Sequence, residues 1–323
     1  MSEIVENSKK GEIPISAAEL KITYKCNMGC RFCWVGDRRS VKNMNLSEQI
    51  ENLRYLSKHA KQKEIHISGG EPTTREELYE ISKAAHALFD RVILHSNVMA
   101  FADDYYAARH AKYFTHVIAS LQAATPESHV YITRLKDKLD TQLVGIQNLI
   151  GHNVQVGVNT VMSRPIVPEL PLFPDILAGL GVRFWLMTFP FMHGWAAQKQ
   201  EELIPQSFEE LIPSMEKAMD CAAALDLPVV LNGVPACYLS ERTLQILNGL
   251  KRAHELGFGG YGAERIMVDS KEQFLSGNAF AYDTIHVRHS ECCKDCVLMK
   301  GPCTGFWPDL VTKDAWPDLH PII

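Results

Sequence analysis

The 323-residue sequence has no apolar run near the length of about 18 residues that a membrane-spanning helix needs. Residues 1–11 are mostly polar, so the chain also shows no apolar segment of a secretory signal peptide. A strong charge of either sign is absent too, because the formal net charge is only -5. These absences predict a cytoplasmic protein that requires neither a membrane nor a nucleic acid as a partner.

Cysteine is too scarce for a disulfide-stapled fold, since the chain has only nine. Seven of them fall into two short groups, within residues 26–33 and 292–303, whereas Cys221 and Cys237 stand apart. Thiols grouped so closely in a chain without an export signal indicate metal binding in a reducing compartment.

Short apolar segments alternate with amphipathic stretches about six times between residues 20 and 225. Strands are predicted at residues 20–24, 64–68, 91–97, 115–121, 154–162 and 182–189. Helix starts are predicted at capping boxes that begin at Asn45 and Thr74, and at Thr125-Pro126. This alternation predicts an α/β fold with a parallel sheet and right-handed crossovers. We expect a partial (β/α)6 TIM-like barrel, with a doubly wound sheet as the alternative.

Three regions are predicted along the chain. Residues 1–17 form a flexible N-terminal arm, residues 18–227 the partial barrel, and residues 228–323 a small cysteine-anchored extension. The boundary lies near Pro228 because the alternation of strands and helices breaks there. A helix near residues 242–256 and a glycine-rich turn are predicted to follow.

The first cysteine group has the spacing Cys-x3-Cys-x2-Cys, at Cys26, Cys30 and Cys33. A structural zinc site is normally closed by four protein ligands, often as two pairs from separate segments. Three thiolates in one loop suit a [4Fe–4S] cube, whose irons are held by thiolates, with the fourth iron left open to another ligand. The spacing therefore favours an iron–sulfur site.

The stretch CNMGCRFC, with Phe32 before the last cysteine, resembles the signature loop of the radical S-adenosylmethionine (radical SAM) superfamily. The resemblance implies that SAM chelates the open iron and that an electron, from a flavodoxin- or ferredoxin-type donor, cleaves SAM to a 5′-deoxyadenosyl radical. That radical takes a hydrogen atom from the substrate, while the protein positions the cofactors and excludes water. The basic run at residues 38–42 is predicted to be a solvated loop, or one that shields the site or meets an acidic donor.

Further positions extend the resemblance to about residue 200. Gly69, Gly70, Glu71 and Pro72 are similar to the family's Gly-Gly-Glu turn, where the glycines let the backbone approach a ligand and Glu71 accepts from the SAM ammonium. Six more SAM-binding positions are implied near the ends of later strands: Ser96, Asn97, Ser120, Arg134, Asn159 and Gly194. Ser120 and Arg134 would hold the ribose and the carboxylate, and Gly194 with Met187 would border the adenine. Val98 stands where the family has a glycine.

The second cysteine group resembles the smaller, twitch-type auxiliary-cluster extensions of some radical SAM enzymes, which are related to the longer SPASM form. The resemblance implies an auxiliary [4Fe–4S] cluster with four ligands: Cys237, Cys293, Cys296 and Cys303. A four-thiolate zinc knot is the alternative, because spacing alone does not exclude it. Either site would fasten the extension over the open mouth of the barrel.

Two thiols are left over as speculative hydrogen-atom donors to a substrate radical. Cys292 is adjacent to a predicted ligand and could also substitute for Cys293. Cys221 is predicted to share a helical face with Leu211, Ser214, Ala218 and Leu225, which favours a packed core thiol over a catalytic one.

Three functions stay open at this stage. The first is a radical SAM oxidoreductase or isomerase that epimerises, dehydrogenates or deoxygenates a sugar, aminocyclitol or nucleoside-type metabolite. The second is a radical SAM enzyme that modifies a ribosomally made peptide by epimerisation, crosslinking or maturation. The third is a non-catalytic iron–sulfur or zinc-binding scaffold. Only about 20 residues precede the cysteine motif, so a fused leader-recognition domain is not expected there.

Overall fold

One parallel sheet of eight strands forms the centre of the protein in a computed structural model. The structure describes residues 17–60, 63–258, 265–268, 293–296 and 303. The strands are β1 Ala17–Thr23, β2 Glu64–Gly69, β3 Arg91–Ser96, β4 His116–Ser120, β5 Gln155–Val161, β6 Phe184–Thr188, β7 Val229–Asn232 and β8 Arg265–Val268. Consecutive strands from β1 to β7 lie side by side, and β8 pairs with the free side of β1. This order confirms the predicted partial TIM-like α/β barrel.

Helices connect the strands, as parallel pairing requires. In the described part of the chain they are α1 Leu46–His59, α2 Leu78–Leu88, α3 Asp104–Ala111, α4 Pro126–Thr133, α5 Leu139–Gly151, α6 Phe173–Leu180, α7 Trp195–Gln198, α8 Gln200–Leu203, α9 Ile212–Ala224 and α10 Thr243–Glu255. Within these described segments, no helix is long and apolar enough to cross a membrane.

Two of the three predicted helix starts are confirmed, and one is wrong. Asn45 and Glu48 form the reciprocal capping box of α1, and the Thr125 side chain caps α4 with Pro126 at its first position. The box predicted at Thr74 does not form, because the Thr74 hydroxyl donates to the Glu71 carbonyl oxygen at 2.7 Å. Residues Pro72–Thr74 form a 3-10 turn instead, and α2 starts only at Leu78.

The sheet continues beyond the predicted end of the barrel at residue 227. β7 pairs with β6, and β8 pairs with β1, so two strands come from the region assigned to the extension. Each has only four residues, which is too short for a clear alternating pattern. The helix α3 was also missed, since its eight residues include several polar ones.

The two faces of the sheet carry different cores. The outer face, under the helices, holds the main core, with Leu20, Leu94 and Val158 fully buried. The inner face holds a smaller apolar cluster, which Phe258, just beyond α10, completes. Its members are Ile93, Ile118, Phe184, Leu186, Val230, Ala253 and Phe258. Polar residues follow this cluster toward the carboxyl ends of the strands, where parallel α/β folds place their ligands.

Candidate active site

The cysteine loop follows β1 and is fastened to the carboxyl end of α4. The Gly29 and Arg31 amides donate to the carbonyl oxygens of Thr133 and Ile132, both at 2.9 Å. The Arg31 side chain donates through Nε to the Tyr131 carbonyl oxygen at 2.7 Å. The last carbonyl groups of a helix lack intrahelical partners, so the loop and the helix end satisfy each other.

The three thiols of this loop are half-buried. Burial raises the pKa of Cys26 to about 11, and burial with the two neighbouring thiols raises the pKa of Cys30 well above its usual range. A bare thiolate is therefore unfavourable here, whereas a thiolate that binds a metal is deprotonated outright. The donor set of three thiolates fits an iron–sulfur cluster.

The thiols are not arranged around one point. Within the described residues, no three His, Cys, Asp or Glu side chains form a group that could hold a single metal ion. In a [4Fe–4S] cube each thiolate binds a different iron, so its ligands surround a cluster and not one ion.

Glu71 connects the ends of β2 and β3 through a carboxylate that is 1% exposed. Its Oε1 accepts from the Ser96 hydroxyl at 2.8 Å and from the Thr73 amide at 3.0 Å and hydroxyl at 2.8 Å. Its Oε2 accepts from the Asn97 amide at 2.6 Å. Burial raises the pKa of Glu71, and these hydrogen bonds oppose the rise. The structure thus brings three predicted site residues, Glu71, Ser96 and Asn97, into direct contact.

Gly69 and Gly70 allow a close approach of β2 to the start of the cysteine loop. A Cβ on Gly69, whose φ is +142°, would lie 2.0 Å from the Thr23 carbonyl oxygen, and one on Gly70 would lie 2.3 Å from the Lys25 carbonyl oxygen. The Gly70 amide donates to the Thr23 carbonyl oxygen at 2.7 Å. These glycines therefore let β2 pack closely against the backbone of residues 23–25. The resemblance had predicted a close approach of the backbone to a ligand.

Ser120 and Asn159 lie opposite each other on β4 and β5. The Ser120 carbonyl oxygen accepts from Gln142 Nε2 at 2.8 Å, and the same Nε2 donates to the Asn97 carbonyl oxygen at 2.8 Å. Asn159 Oδ1 accepts from the Thr188 hydroxyl at 2.7 Å. Gln142, which sequence reasoning missed, is fully buried on α5 and joins the ends of β3 and β4.

The loop after β6 closes against the cysteine loop. A Cβ on Gly194 would lie 2.5 Å from the Cys33 carbonyl oxygen, and the Trp195 amide donates to that oxygen at 3.0 Å. The guanidinium carbons of Arg39 and Arg134 lie 4.5 and 5.4 Å from the centre of the Trp195 ring. Gly194 and Arg134 therefore both lie beside the loop.

The structure also places two further features that the sequence analysis singled out. The basic run after the loop is not simply solvated, because Gly36–Ser40 forms a 3-10 helix and the guanidinium groups of Arg38 and Arg39 lie over the Tyr24 and Trp195 rings. Met187, expected near the adenine, is fully buried in the main core.

The second cysteine group is described only in part. Cys237 lies in the 3-10 segment Ala236–Arg242 after β7, and the Cys296 amide donates to the Cys293 carbonyl oxygen at 3.0 Å. Cys296 and Cys303 are partly buried and pack against the main core. Cys292 lies outside the described residues.

Cys221 lies on α9, in the layer of helices outside the sheet. Of the helical face predicted for it, Leu211 and Ala218 are fully buried, whereas Leu225 is 41% exposed. Cys221 is half-buried at the edge of this face.

A buried polar chain on the inner face was not found from the sequence. His66 Nε2 lies 2.9 Å from Glu64 Oε1, and His66 Nδ1 lies 2.8 Å from His95 Nε2. Arg91 pairs with the other oxygen of Glu64 at 2.8 Å. The polar residues at alternate positions of β2 and β3 were a signal that could have placed these side chains on one face.

The described residues thus form a parallel partial barrel of the α/β class, with a three-thiol loop at its carboxyl edge. Residues 20–169 match the Radical SAM superfamily, and this part of the chain is a radical SAM domain. The cofactors of that family, SAM and a [4Fe–4S] cluster, are those that the resemblance of the cysteine loop implies.

Two relatives are similar to this chain in sequence, and one solved structure shares its fold. The PqqA peptide cyclase of Ruegeria pomeroyi is 24% identical over 199 residues, which are 60% of this chain and 52% of that protein. A probable GTP 3',8-cyclase of Methanothermobacter marburgensis is 28% identical over 155 residues, 47% of this chain and 50% of that protein. Streptococcus suis SuiB bound to S-adenosylmethionine shares the fold, with a TM-score of 0.64 at 15% identity over 97% of this chain and 78% of that chain. The chain spans about half the length of these two curated relatives.

Proposed function

We propose that this protein is a radical SAM enzyme that reductively cleaves S-adenosylmethionine and abstracts a hydrogen atom from a peptide substrate. The observation that carries the proposal is the fixed position of the cysteine loop at the carboxyl edge of the sheet. Hydrogen bonds from Gly29 and Arg31 to α4 hold the middle of the loop, and the bond from Gly70 to Thr23 of β1 holds its start. A bound cluster and SAM would supply the radical chemistry.

The residues of this chain divide into those that would hold the cofactors and those that support them. Cys26, Cys30 and Cys33 would hold the cluster, with SAM as the ligand of its open iron. Ser120, Arg134, Asn159 and Gly194 would line the SAM site. The Glu71 carboxylate would order the Gly69–Pro72 turn, because all of its described hydrogen bonds go to Thr73, Ser96 and Asn97.

A peptide is the favoured substrate class. One relative is named for peptide cyclisation, and the SuiB fold is also known bound to the precursor peptide SuiA. A nucleotide is the second candidate, because the relative from Methanothermobacter marburgensis, 28% identical, is named a probable GTP 3',8-cyclase. The relatives reported above thus favour a peptide or a nucleotide over a sugar or aminocyclitol, whereas the nucleoside-type metabolite of the first expectation is close to the nucleotide class.

On the basis of the sequence, we also propose an auxiliary cluster site and a protein electron donor. Cys237, Cys293, Cys296 and Cys303 would hold a second [4Fe–4S] cluster, closed by four thiolates. The electron for SAM cleavage would come from a flavodoxin- or ferredoxin-type donor in the cytoplasm.

Anaerobic reconstitution followed by a 5′-deoxyadenosine assay with dithionite tests the activity. We expect 5′-deoxyadenosine from the wild-type protein and none from Cys30→Ala, which removes one cluster ligand. A wild-type protein that binds its full iron and SAM but forms no 5′-deoxyadenosine would support the non-catalytic scaffold instead.

Isotope transfer tests the substrate class. A deuterated precursor peptide encoded beside the gene should pass deuterium into 5′-deoxyadenosine, and deuterated GTP serves as the matched comparison. Transfer from GTP alone would favour the nucleotide, and transfer from neither would argue against both classes.

A further inference from the structure

Arg39 donates hydrogen bonds to the cysteine loop from both terminal nitrogens of its guanidinium group. Nη1 donates to the Met28 carbonyl oxygen at 2.5 Å, between the first and second cysteines. Nη2 donates to Cys33 Sγ at 3.6 Å. The side chain therefore contacts one predicted cluster ligand directly and the backbone between the other two.

The surroundings of Arg39 hold this arrangement in place. Its guanidinium carbon lies 4.5 Å from the centre of the Trp195 ring, and the Trp195 amide and indole donate to the Cys33 carbonyl oxygen and to Asp37. The Nε atom of Arg39 is buried without a hydrogen-bond partner among the described residues. A planar guanidinium that stacks on an aromatic ring keeps its charge at any working pH.

The guanidinium of Arg39 thus places an N–H donor and a positive charge directly on the Cys33 sulfur. Ligand-bound sulfurs that accept hydrogen bonds, and a change in net charge beside a cluster, both alter its reduction potential.

We propose that Arg39 is a positioning residue that raises the reduction potential of the cluster at Cys26, Cys30 and Cys33. The N–H donor and the positive charge withdraw electron density from the Cys33 thiolate and stabilise the more negative, reduced cluster. The single electron still comes from the external reductant, and Arg39 changes only how readily it is accepted. This inference rests on the proposed function, since it requires the cluster.

Two Arg39 variants and one neighbouring control separate this role from simple support of the loop. Arg39→Gln removes the charge and keeps a hydrogen-bonding amide, whereas Arg39→Lys keeps the charge and loses the planar fork. Arg38→Gln removes the same charge one residue earlier, where the guanidinium lies 4.7 Å from the Tyr24 ring centre.

The measurement is an EPR redox titration of the reconstituted full-length protein, after its iron content has been determined. The cluster at the loop is identified as the signal that changes when SAM is added. At the wild-type midpoint potential we expect Arg39→Gln to show about a tenfold lower ratio of reduced to oxidised cluster, equivalent to about 59 mV for one electron. Arg39→Lys should show a smaller change, and Arg38→Gln none.

The possible outcomes each decide the proposal. An Arg39→Gln protein with wild-type iron content and an unchanged midpoint would overturn it. Loss of iron from both Arg39 variants would also overturn it, because Arg39 would then serve to hold the loop. A wild-type protein without a SAM-responsive signal would refute the proposed function itself. That failure is distinguishable, because it is seen in the wild-type protein before any variant is measured.

Discussion

Asn97 Nδ2 donates to Asn27 Oδ1 at 2.7 Å, which joins the residue after β3 to the residue after the first cysteine of the loop. The Asn97 backbone amide donates to Glu71 at the same time. One asparagine therefore connects the cysteine loop with the Gly-Gly-Glu turn, although the three segments are far apart in the sequence.

This contact predicts an energetic coupling between Asn27 and Asn97. We expect the stability effects of Asn27→Ala and Asn97→Ala to be non-additive by about 1 kcal/mol, the usual net value of one hydrogen bond. Urea unfolding of the two single variants and the double variant without metal measures it. The full cycle is needed because Asn97 Oδ1 also accepts from the Met99 amide at 3.2 Å. Additive effects would show that the bond contributes nothing measurable.

Gly70 should tolerate no side chain. A Cβ at this position would lie 2.3 Å from the Lys25 carbonyl oxygen, a backbone atom that cannot rotate away. We expect Gly70→Ala to lower the free energy of unfolding by at least about 3 kcal/mol and to prevent cluster binding. Gly151→Ala is the matched control, because nothing lies within 4 Å of its Cβ, and it should be neutral or stabilising by up to about 1 kcal/mol. Equal urea midpoints for the two variants would contradict the packing described for the turn.

His110 should make the stability of the protein fall at acid pH. Burial lowers the pKa of His110 in the folded protein to about 4, and its ring stacks on Tyr106 with centroids 4.1 Å apart. An unfolded histidine has a pKa of about 6.5, so the unfolded chain binds the proton more strongly between these values. Stability from His110 is fully present above pH 6.5 and is lost as the pH falls towards 4, by at most about 3 kcal/mol.

The His110→Phe variant isolates this contribution. Denaturant unfolding at several pH values between 4 and 7 should show a smaller loss of stability for the variant than for the wild type. Parallel curves for the two proteins would mean that His110 does not titrate as its burial implies.

The auxiliary site predicts a defined loss of iron. Two [4Fe–4S] clusters correspond to about eight irons per chain, and we expect Cys296→Ser to retain about four. Cys221→Ser should retain the wild-type iron content, because this thiol lies on α9 in the helix layer. About four irons and one zinc in the wild type would identify the second site as the zinc knot, and an unchanged iron content in Cys296→Ser would exclude Cys296 as a cluster ligand.

Local patterns predicted much of the fold and the first cysteine loop. The strands β1 to β6 were predicted because each is a short apolar run bounded by turn residues, and α1 and α4 because their caps depend on neighbours within four residues. β7 and β8 were missed because four residues carry too little periodicity. The capping box at Thr74 failed because the Thr74 hydroxyl donates to the Glu71 carbonyl oxygen, and Pro72–Thr74 forms a 3-10 turn instead.

The sequence by itself determined the spacing of Cys26, Cys30 and Cys33, and with it the kind of cofactor that the loop can bind, because ligand spacing within one loop is a local property. Only the tertiary structure decided what surrounds those thiols. Arg39 reaches Cys33 where Trp195 packs over it, and Gln142 joins Asn97 to Ser120. Each of these contacts depends on how distant strands pair and where helices pack, and no local pattern of residues specifies that geometry.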